Sequence, residues 1–248
     1  MSECKILLIT VPGGRRNALI AAHLQEKGFS AEVSPAVFLR SDDGLPADYD
    51  QASRNRQLGY DLTRGEIGCF LAHRDAWRRV AEADGPCMIL EDDARLRPAL
   101  SPAALQELAD VIADTNLIIR LFSQRHPPSK TWRRLKSGLS IDRPAKAGYS
   151  AVAYVLSPAS AAALTACADS FWQTTDDYMD DEAAHGCPVM HVSPETVWHD
   201  DEGRSLIGVR DKPAVSWQVK VRREWLRAGR NIRASLHRMK TDRKLGLR

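Results

Sequence analysis

The sequence has no long apolar run that could serve as a membrane-spanning helix. None of its segments approaches the roughly 20 consecutive apolar residues that such a helix needs. The first ten residues, MSECKILLIT, contain one lysine before a short apolar segment, and no small-residue cleavage site follows. We therefore interpret this segment as a first strand rather than a signal peptide, and we expect a cytoplasmic protein.

Cysteine is scarce and irregularly spaced. The chain has five cysteines, at positions 4, 69, 87, 167 and 187, and no pair has the CxxC spacing. An odd number of scattered cysteines argues against a disulfide framework and against a cysteine zinc site. We interpret them mainly as small apolar residues in a reducing compartment.

Basic residues are concentrated at the carboxyl terminus. Residues 218–248 hold 11 Lys or Arg and two acids, so this segment carries +9 while the whole chain carries +3. We predict a domain over residues 1–217 and a basic amphipathic tail over 218–248. Such a tail suits an anionic membrane surface, although a disordered solubilising tail is the alternative. Nucleic-acid binding is disfavoured, because no recognised binding module accompanies the charge.

Strands and helices alternate through most of the chain. Composition is that of a globular protein, with 44% hydrophobic and 27% charged residues. We predict an α/β fold with a mainly parallel central sheet and helices on both faces. Three segments lack clear periodicity and are predicted to be irregular or turn-rich: 40–64, 123–147 and 169–205. The predicted strands lie at 4–11, 31–38, 87–90, 117–122 and 151–157, and the predicted helices start near residues 15, 66, 101 and 158.

Charged side chains follow two of the predicted strands. Arg15 and Arg16 come just after the first strand, and Glu91, Asp92 and Asp93 directly follow the apolar segment CMIL. In α/β sheets, ligands bind outside the carboxyl ends of the strands, so both groups should lie on one rim. One ligand could then be an anion held partly by arginine and partly through a cation on the carboxylates. The alternative is that these residues only cap or solvate helix starts and turns.

The helix predicted over 66–83 carries two polar residues on its apolar side. On a helical wheel, Glu66 and His73 fall among Phe70, Trp77 and Val80, opposite the charged face. Buried glutamate is uncommon unless it is paired. Either these two side chains are satisfied core groups, or this face borders a ligand cleft.

Several strings resemble glycosyltransferase family 25. The string GEIGCFLAHRDAW, followed about ten residues later by ILEDDA, has the order and spacing of that family's motifs. GYSAVAYVLSPASAAAL, TTDDYMD and SPETVWHDDEGRSLIG resemble further family segments, so the resemblance covers about residues 4–208. His199 departs from the family, which often has Gln there, and residues 40–64 and the basic tail match nothing in it.

The resemblance implies a GT-A-like fold for nucleotide-diphosphate sugars, a divalent metal, and usually a UDP-galactose donor with inversion at the sugar. We predict Asp93 as a ligand of Mn²⁺ or Mg²⁺, which suit oxygen ligands, and His199 as a second ligand. Glu91 would lie near the ribose or uracil with Asp92 in support. The alternatives are a turn acid and a satisfied structural histidine.

An inverting transfer needs a base for the acceptor hydroxyl, and Asp176 or Asp177 is our candidate. The alternative is that the acids of TTDDYMD only cap a helix. Arg15 and Arg16 would contact phosphate, and Glu66 and His73 would border the donor.

The predicted activity is therefore metal-dependent, inverting transfer of galactose from UDP-galactose to a lipid-linked glycan such as a lipooligosaccharide core, at the cytoplasmic face of a membrane. Two other classes stay open. One is a metal-dependent phosphohydrolase or nucleotidyltransferase, and the other is a non-catalytic glycan-binding protein that docks on membranes.

Overall fold

A computed structural model describes residues 3–200 and 217–247. In this part of the chain, helices separate groups of one to four consecutive strands, so the predicted alternation of single strands and helices holds only in part. The strands are β1 (Lys5–Thr10), β2 (Glu32–Pro35), β3 (Cys87–Glu91), β4 (Ala94–Leu96), β5 (Ile118–Arg120), β6 (Ser129–Arg134), β7 (Ser140–Pro144), β8 (Ala153–Leu156), β9 (Val189–Ser193) and β10 (Val197–His199). The helices are α1 (Arg15–Glu26), α2 (Gln51–Leu58), α3 (Arg64–Ala81), α4 (Pro102–Ile112), α5 (Pro158–Ala166), α6 (Thr175–Met179), α7 (Glu182–His185) and α8 (Trp217–Lys244).

Eight strands form one mixed sheet in the order β2-β1-β3-β8-β5-β9-β7-β6. The α/β class is confirmed, but the mainly parallel arrangement holds only in part. The pairs β1–β2, β1–β3 and β5–β9 are parallel, while β8 runs antiparallel to both β3 and β5, and β7 runs antiparallel to β6 and β9. The strand β8 follows the β6–β7 hairpin rather than a crossover helix, which allows it to enter the sheet in the opposite direction.

Helices cover both faces of the sheet, as predicted. Alternate residues of a strand point to opposite faces, so Ile6 and Leu8 of β1 face one core and Leu7 and Ile9 face the other. The first core is completed by α1 and α4, and the second by α3 and α5. This two-sided burial explains why β1 and β3 read as continuous apolar runs.

Side-chain caps set the starts of the central helices. Ser101 and Ser157 accept hydrogen bonds from the backbone at the third helical residues of α4 and α5, and each helix has Pro in its first turn. At α3, Thr63 and Glu66 form a reciprocal capping box. The helix therefore begins at Arg64, two residues before the predicted start.

All three segments predicted to be irregular or turn-rich contain regular structure, and residues 123–147 hold the hairpin strands β6 and β7. Residues 40–64 include α2, which Asp50 caps and Gly59 ends with a left-handed φ of 74°. Residues 169–205 include α6, α7, β9 and β10. These predictions were wrong because the elements are short and their stability comes from packing, which local periodicity does not register.

The carboxyl-terminal helix α8 lies against α2 and α7. Arg233 pairs with Asp181 at 3.0 Å and Arg238 with Glu182 at 3.1 Å. Arg143 of β7 connects Glu182 to Asp242 of α8. No helix within the described residues is long and apolar enough to cross a bilayer.

Candidate active site

The three acids at the end of β3, Glu91, Asp92 and Asp93, lie on the carboxyl edge of the sheet, next to the end of β1. Asp92 accepts a hydrogen bond of 2.8 Å from the Thr10 hydroxyl, and Arg16 of α1 approaches its other carboxylate oxygen at 3.5 Å. Burial raises the pKa of Asp92, and Thr10 opposes that rise, while the neighbouring charge of Asp93 adds to it. The predicted meeting of Arg16 with these acids on one rim is therefore present in the structure.

Asp93 is brought next to His199 by a small two-stranded sheet. Strand β4 pairs with β10, which places His199 opposite Ala94. The Nε2 atom of His199 lies 3.1 Å from Oδ2 of Asp93. The other carboxylate oxygen of Asp93, Oδ1, is buried and has no hydrogen-bond partner in the part of the chain described. Such a buried carboxylate oxygen can coordinate a cation or accept a hydrogen bond from a ligand.

Glu91 is held by a chain of hydrogen bonds that begins in the core. Trp77 Nε1 donates to the Tyr154 hydroxyl at 2.7 Å, Tyr154 lies 2.8 Å from Nδ1 of His73, and Nε2 of His73 lies 2.9 Å from Glu91 Oε1. Because an ionised carboxylate only accepts hydrogen bonds, Nε2 of His73 donates, and in the neutral ring Nδ1 then accepts from Tyr154. His73 is thus a satisfied core group that also orients Glu91.

Cys69 joins His73 and Glu91 in a group whose potential ligand atoms lie within 4.8 Å of one another. Burial raises the pKa of the Cys69 thiol, and the charge of Glu91 raises it further. The thiol contacts the Thr175 hydroxyl at 3.4 Å. Since metals bind the thiolate and an unprotonated imidazole nitrogen, this thiol and this hydrogen-bond chain both favour the metal-free network.

Glu66 and Gly68 shape the start of α3. Glu66 accepts a hydrogen bond of 2.8 Å from the Thr63 backbone, so its buried carboxylate serves as the helix cap. A Cβ atom on Gly68 would lie 2.2 Å from the carbonyl oxygen of Val37. The glycine therefore lets α3 lie close to the segment after β2. Helix α3 and this segment together form one wall of a cleft.

The cleft has a volume of about 540 Å³ and opens above the three acids. That volume falls within the range of small-molecule sites. Its walls are the end of β1, the segment after β2 and the first turns of α3, and its floor is the carboxylate rim. Its lining includes Thr10, Arg16, Ala36, Val37, Phe38, Leu39, Thr63, Arg64, Gly68, Cys69, His73, Glu91, Asp92 and Asp93.

The sequence reasoning missed Arg64, which lines the cleft at the first residue of α3. Its NH2 nitrogen donates to the Ser41 carbonyl at 3.1 Å. Its NH1 nitrogen is buried, and among the described residues it has no hydrogen-bond partner. Arg64 is the second residue of the Thr-x-x-Glu capping pattern that runs from Thr63 to Glu66, so its position at a helix start could have been found from the sequence.

Asp176 lies in the first turn of α6 and interacts electrostatically with Glu91. Burial raises the pKa of Asp176 to about 6; the buried Arg120 opposes that rise, and Glu91 and Asp180 add to it. Arg120 pairs with Asp180 at 2.5 Å and shows only 1% of its surface. A carboxylate with this pKa is a stronger base than an ordinary aspartate and is still ionised at neutral pH.

Five predicted site residues do not line the cleft: Arg15, Glu66, Asp176, Asp177 and His199. Arg15 is exposed at the start of α1 and does not line the cleft. Asp177 is also absent from the lining, and its backbone N–H bonds the Thr174 cap. The family-like residues after Asp200, including Ser205 and Ile207, lie outside the described residues.

A family model described as "Glycosyltransferase family 25 (LPS biosynthesis protein)" matches residues 5–179. The match includes β1, α3, the three acids and Asp176, and it ends before His199.

Three similar proteins carry the same family description. A mouse protein named "Inactive glycosyltransferase 25 family member 3" is 30% identical over 163 residues, which is 61% of this chain and 27% of the mouse protein. The rat protein named "Probable inactive glycosyltransferase 25 family member 3" is also 30% identical over 163 residues. An Anopheles gambiae "Glycosyltransferase 25 family member" is 42% identical over 50 residues, or 20% of this chain and 8% of the mosquito protein. The chain therefore matches about a quarter of the length of the two rodent proteins.

Proposed function

Because the chain belongs to glycosyltransferase family 25, we propose that it is a metal-dependent, inverting glycosyltransferase that uses a nucleotide-diphosphate sugar. The observation that carries this proposal is Oδ1 of Asp93, which lies on the floor of the cleft beside His199, is buried, and has no hydrogen-bond partner among residues 3–200 and 217–247. The activity needs both a cation site and a diphosphate site, and the proposed cation ligands lie next to Asp92 and its contact with Arg16, which supports the proposal.

The donor is proposed to lie in the cleft with its diphosphate over the acids. The apolar segment Ala36–Leu39 offers a wall on which a flat base can pack. Arg16 and the NH1 nitrogen of Arg64, which has no partner in the described part of the chain, are placed to donate to phosphate oxygens. Glu91 is fixed through one oxygen by His73, so it can present a defined acceptor to the ribose or the base.

The proposed cation is Mn²⁺ or Mg²⁺, held by Asp93 and His199. Carboxylate oxygens and imidazole nitrogens are ligands that Mn²⁺ binds, and Oδ1 of Asp93 has no other partner among the described residues, so these residues fit the ion. When bound, the cation neutralises charge that develops on the leaving diphosphate. Asp92 carries the hydrogen bond from Thr10 and the contact with Arg16, which suits a supporting role.

Asp176 is the proposed base. Its carboxylate takes the proton of the acceptor hydroxyl while that oxygen bonds to the anomeric carbon and the carbon–phosphate oxygen bond breaks. The nucleoside diphosphate leaves, and the sugar's configuration inverts because attack comes from the opposite side. The raised pKa of Asp176 and its interaction with Glu91 support this assignment.

Galactose as the donor sugar and a lipid-linked glycan, such as a lipooligosaccharide core, as the acceptor are the finer parts of the proposal. Galactose follows from the resemblance of the motifs to family 25. A lipid-linked acceptor is supported by the basic segment 218–248, because such a segment suits the anionic face of a membrane. The protein would then work as a cytoplasmic protein on that surface.

A non-catalytic glycan-binding protein is the second candidate, because the mouse and rat relatives carry the word inactive in their names. A phosphohydrolase or nucleotidyltransferase has less support. It would need a second pair of acids for another metal, but Asp180 and Asp181 are already paired with Arg120 and Arg233.

The test is a binding and turnover screen of UDP-, GDP- and CMP-sugars with and without Mn²⁺. We expect one UDP-sugar to raise the melting temperature only when Mn²⁺ is present, and to be hydrolysed slowly without acceptor. Binding without hydrolysis or transfer to any glycan acceptor would favour the non-catalytic candidate. Hydrolysis of plain nucleotides at the same rate would favour the phosphohydrolase.

A further inference from the structure

Helix α8 turns an apolar stripe away from the protein. Six large apolar side chains of α8 are exposed, and Trp217, Trp225 and Ile232 show 71%, 76% and 62% of their surface. At the 100° per residue of an α-helix, all six fall within an arc of about 100°. The members of this outer stripe are Trp217, Val221, Trp225, Ile232, Leu236 and Met239.

The opposite side of α8 is the one that binds the protein body. Arg230 donates to Gln57 of α2, Arg233 pairs with Asp181, and Arg238 pairs with Glu182. These contacts fix the rotation of the helix about its own axis. The outer stripe is therefore on the far side of a helix whose inner side is already occupied.

Exposed cations border the outer stripe. Lys220, Arg222, Lys240 and Arg243 are exposed on α8, and none forms an ion pair within residues 3–200 and 217–247. Exposed tryptophans flanked by lysine and arginine, along a helix of 28 residues, match a helix that lies in the plane of a bilayer surface. The charges also specify the lipid, since only anionic headgroups attract them.

We infer that α8 docks flat on an anionic phospholipid bilayer through its outer stripe while its inner side stays bound to the body. The inference deepens the proposed function, because it places the catalytic domain on the membrane. Docking itself does not depend on the proposed function; only its benefit, access to a lipid-linked acceptor, rests on that function. Arg233 binds Asp181, close in sequence to Asp176, so the docked helix would lie between the bilayer and the segment that carries the proposed base.

The experiment is flotation of the full chain with vesicles of phosphatidylcholine alone, or with about one third phosphatidylglycerol. We expect wild type to float only with the anionic vesicles, and Trp225→Glu or Leu236→Glu to lose about tenfold or more in affinity. The matched control is Asn231→Glu, which adds the same charge at an exposed position of α8 outside the stripe. Asn231→Glu should lose far less affinity for the anionic vesicles. The donor-dependent melting shift of all three variants should match that of wild type, which separates docking from the proposed activity.

Three results would overturn the inference. Wild type could fail to float with anionic vesicles. Asn231→Glu could lose as much vesicle affinity as Trp225→Glu, which would mean that the added negative charge, and not the lost apolar side chain, weakens binding. A concentration-dependent dimer that Trp225→Glu abolishes, without vesicle binding, would assign the stripe to a second copy of the chain. Circular dichroism of each variant must equal that of wild type, so that loss of helix α8 is not mistaken for loss of docking.

Discussion

The raised pKa of Asp176 predicts that the proposed base is held at a cost in stability. Burial disfavours the charged carboxylate, so its pKa rises from 3.8 to about 6 in the folded protein. For an acid with a raised pKa, the cost is absent below pH 4, grows as the pH passes from about 4 to 6, and is complete above 6. The shift corresponds to about 3 kcal/mol, which we reduce to about 1–2 kcal/mol because the side chain is partly exposed.

The variant Asp176→Asn removes this charge with little change of shape. At pH 7 we expect it to be more stable than wild type by about 1–2 kcal/mol, while transfer activity is lost. At pH 4 the stability difference should vanish. Urea unfolding of both proteins at several pH values measures the difference, and a transfer assay on the same samples measures activity.

Asp177→Asn is the matched control, because Asp177 is the next residue in the same helix turn. We expect no gain in stability from it, and a small loss of about 0.3–1 kcal/mol from the helix dipole. If Asp176→Asn were less stable than wild type at pH 7, or if its advantage were the same at pH 4, the assignment of a buried, charged base would be refuted. Retained transfer activity would refute its catalytic role.

Two further variants test the supports of the cleft. Tyr154→Phe leaves Trp77 Nε1 and His73 Nδ1 without their partner in the core, and we expect a loss of about 1–3 kcal/mol in urea unfolding together with weaker donor binding. If unfolding and donor binding were unchanged, the hydrogen-bond chain would not orient Glu91. Gly68→Ala forces a Cβ atom against the Val37 carbonyl, and we expect about 1–3 kcal/mol of destabilisation and a weaker donor titration. A variant with unaltered titration would show that this close approach does not shape the donor site.

The sequence predicted the long elements well because their burial is periodic and their caps are local. The helix α3 and its polar inner residues could be placed on a wheel, and the meeting of Arg16 with Asp92 followed from a general rule about strand ends. The direction of β8 could not be predicted, since it depends on the β6–β7 hairpin that precedes it. The prediction of a parallel strand at this position rested only on the alternation of predicted strands and helices along the chain.

The sequence identified many of the residues of the candidate site, but not the contacts that determine what each of them does. His73 was expected to border the donor, but only the structure reveals that its two nitrogens are engaged with Tyr154 and Glu91. The contact of His199 with Asp93 depends on the pairing of β10 with β4, two strands about 100 residues apart. Long-range pairing of short strands leaves no local signal, so His199 could be proposed as a second metal ligand only from the chemistry of imidazole, and its contact with Asp93 could not be derived.

The most direct test of the proposed function is calorimetric titration of UDP-galactose in the presence and absence of Mn²⁺, with wild type, Asp93→Asn and the control Asp75→Asn. Asp75 is exposed on the outer face of α3, so its variant keeps the same charge change away from the cleft. We predict Mn²⁺-dependent binding for wild type and Asp75→Asn, and loss of the Mn²⁺ dependence in Asp93→Asn. Equal, Mn²⁺-independent binding by all three proteins, or no binding by any of them, would contradict the proposal that Asp93 holds a cation for the sugar nucleotide.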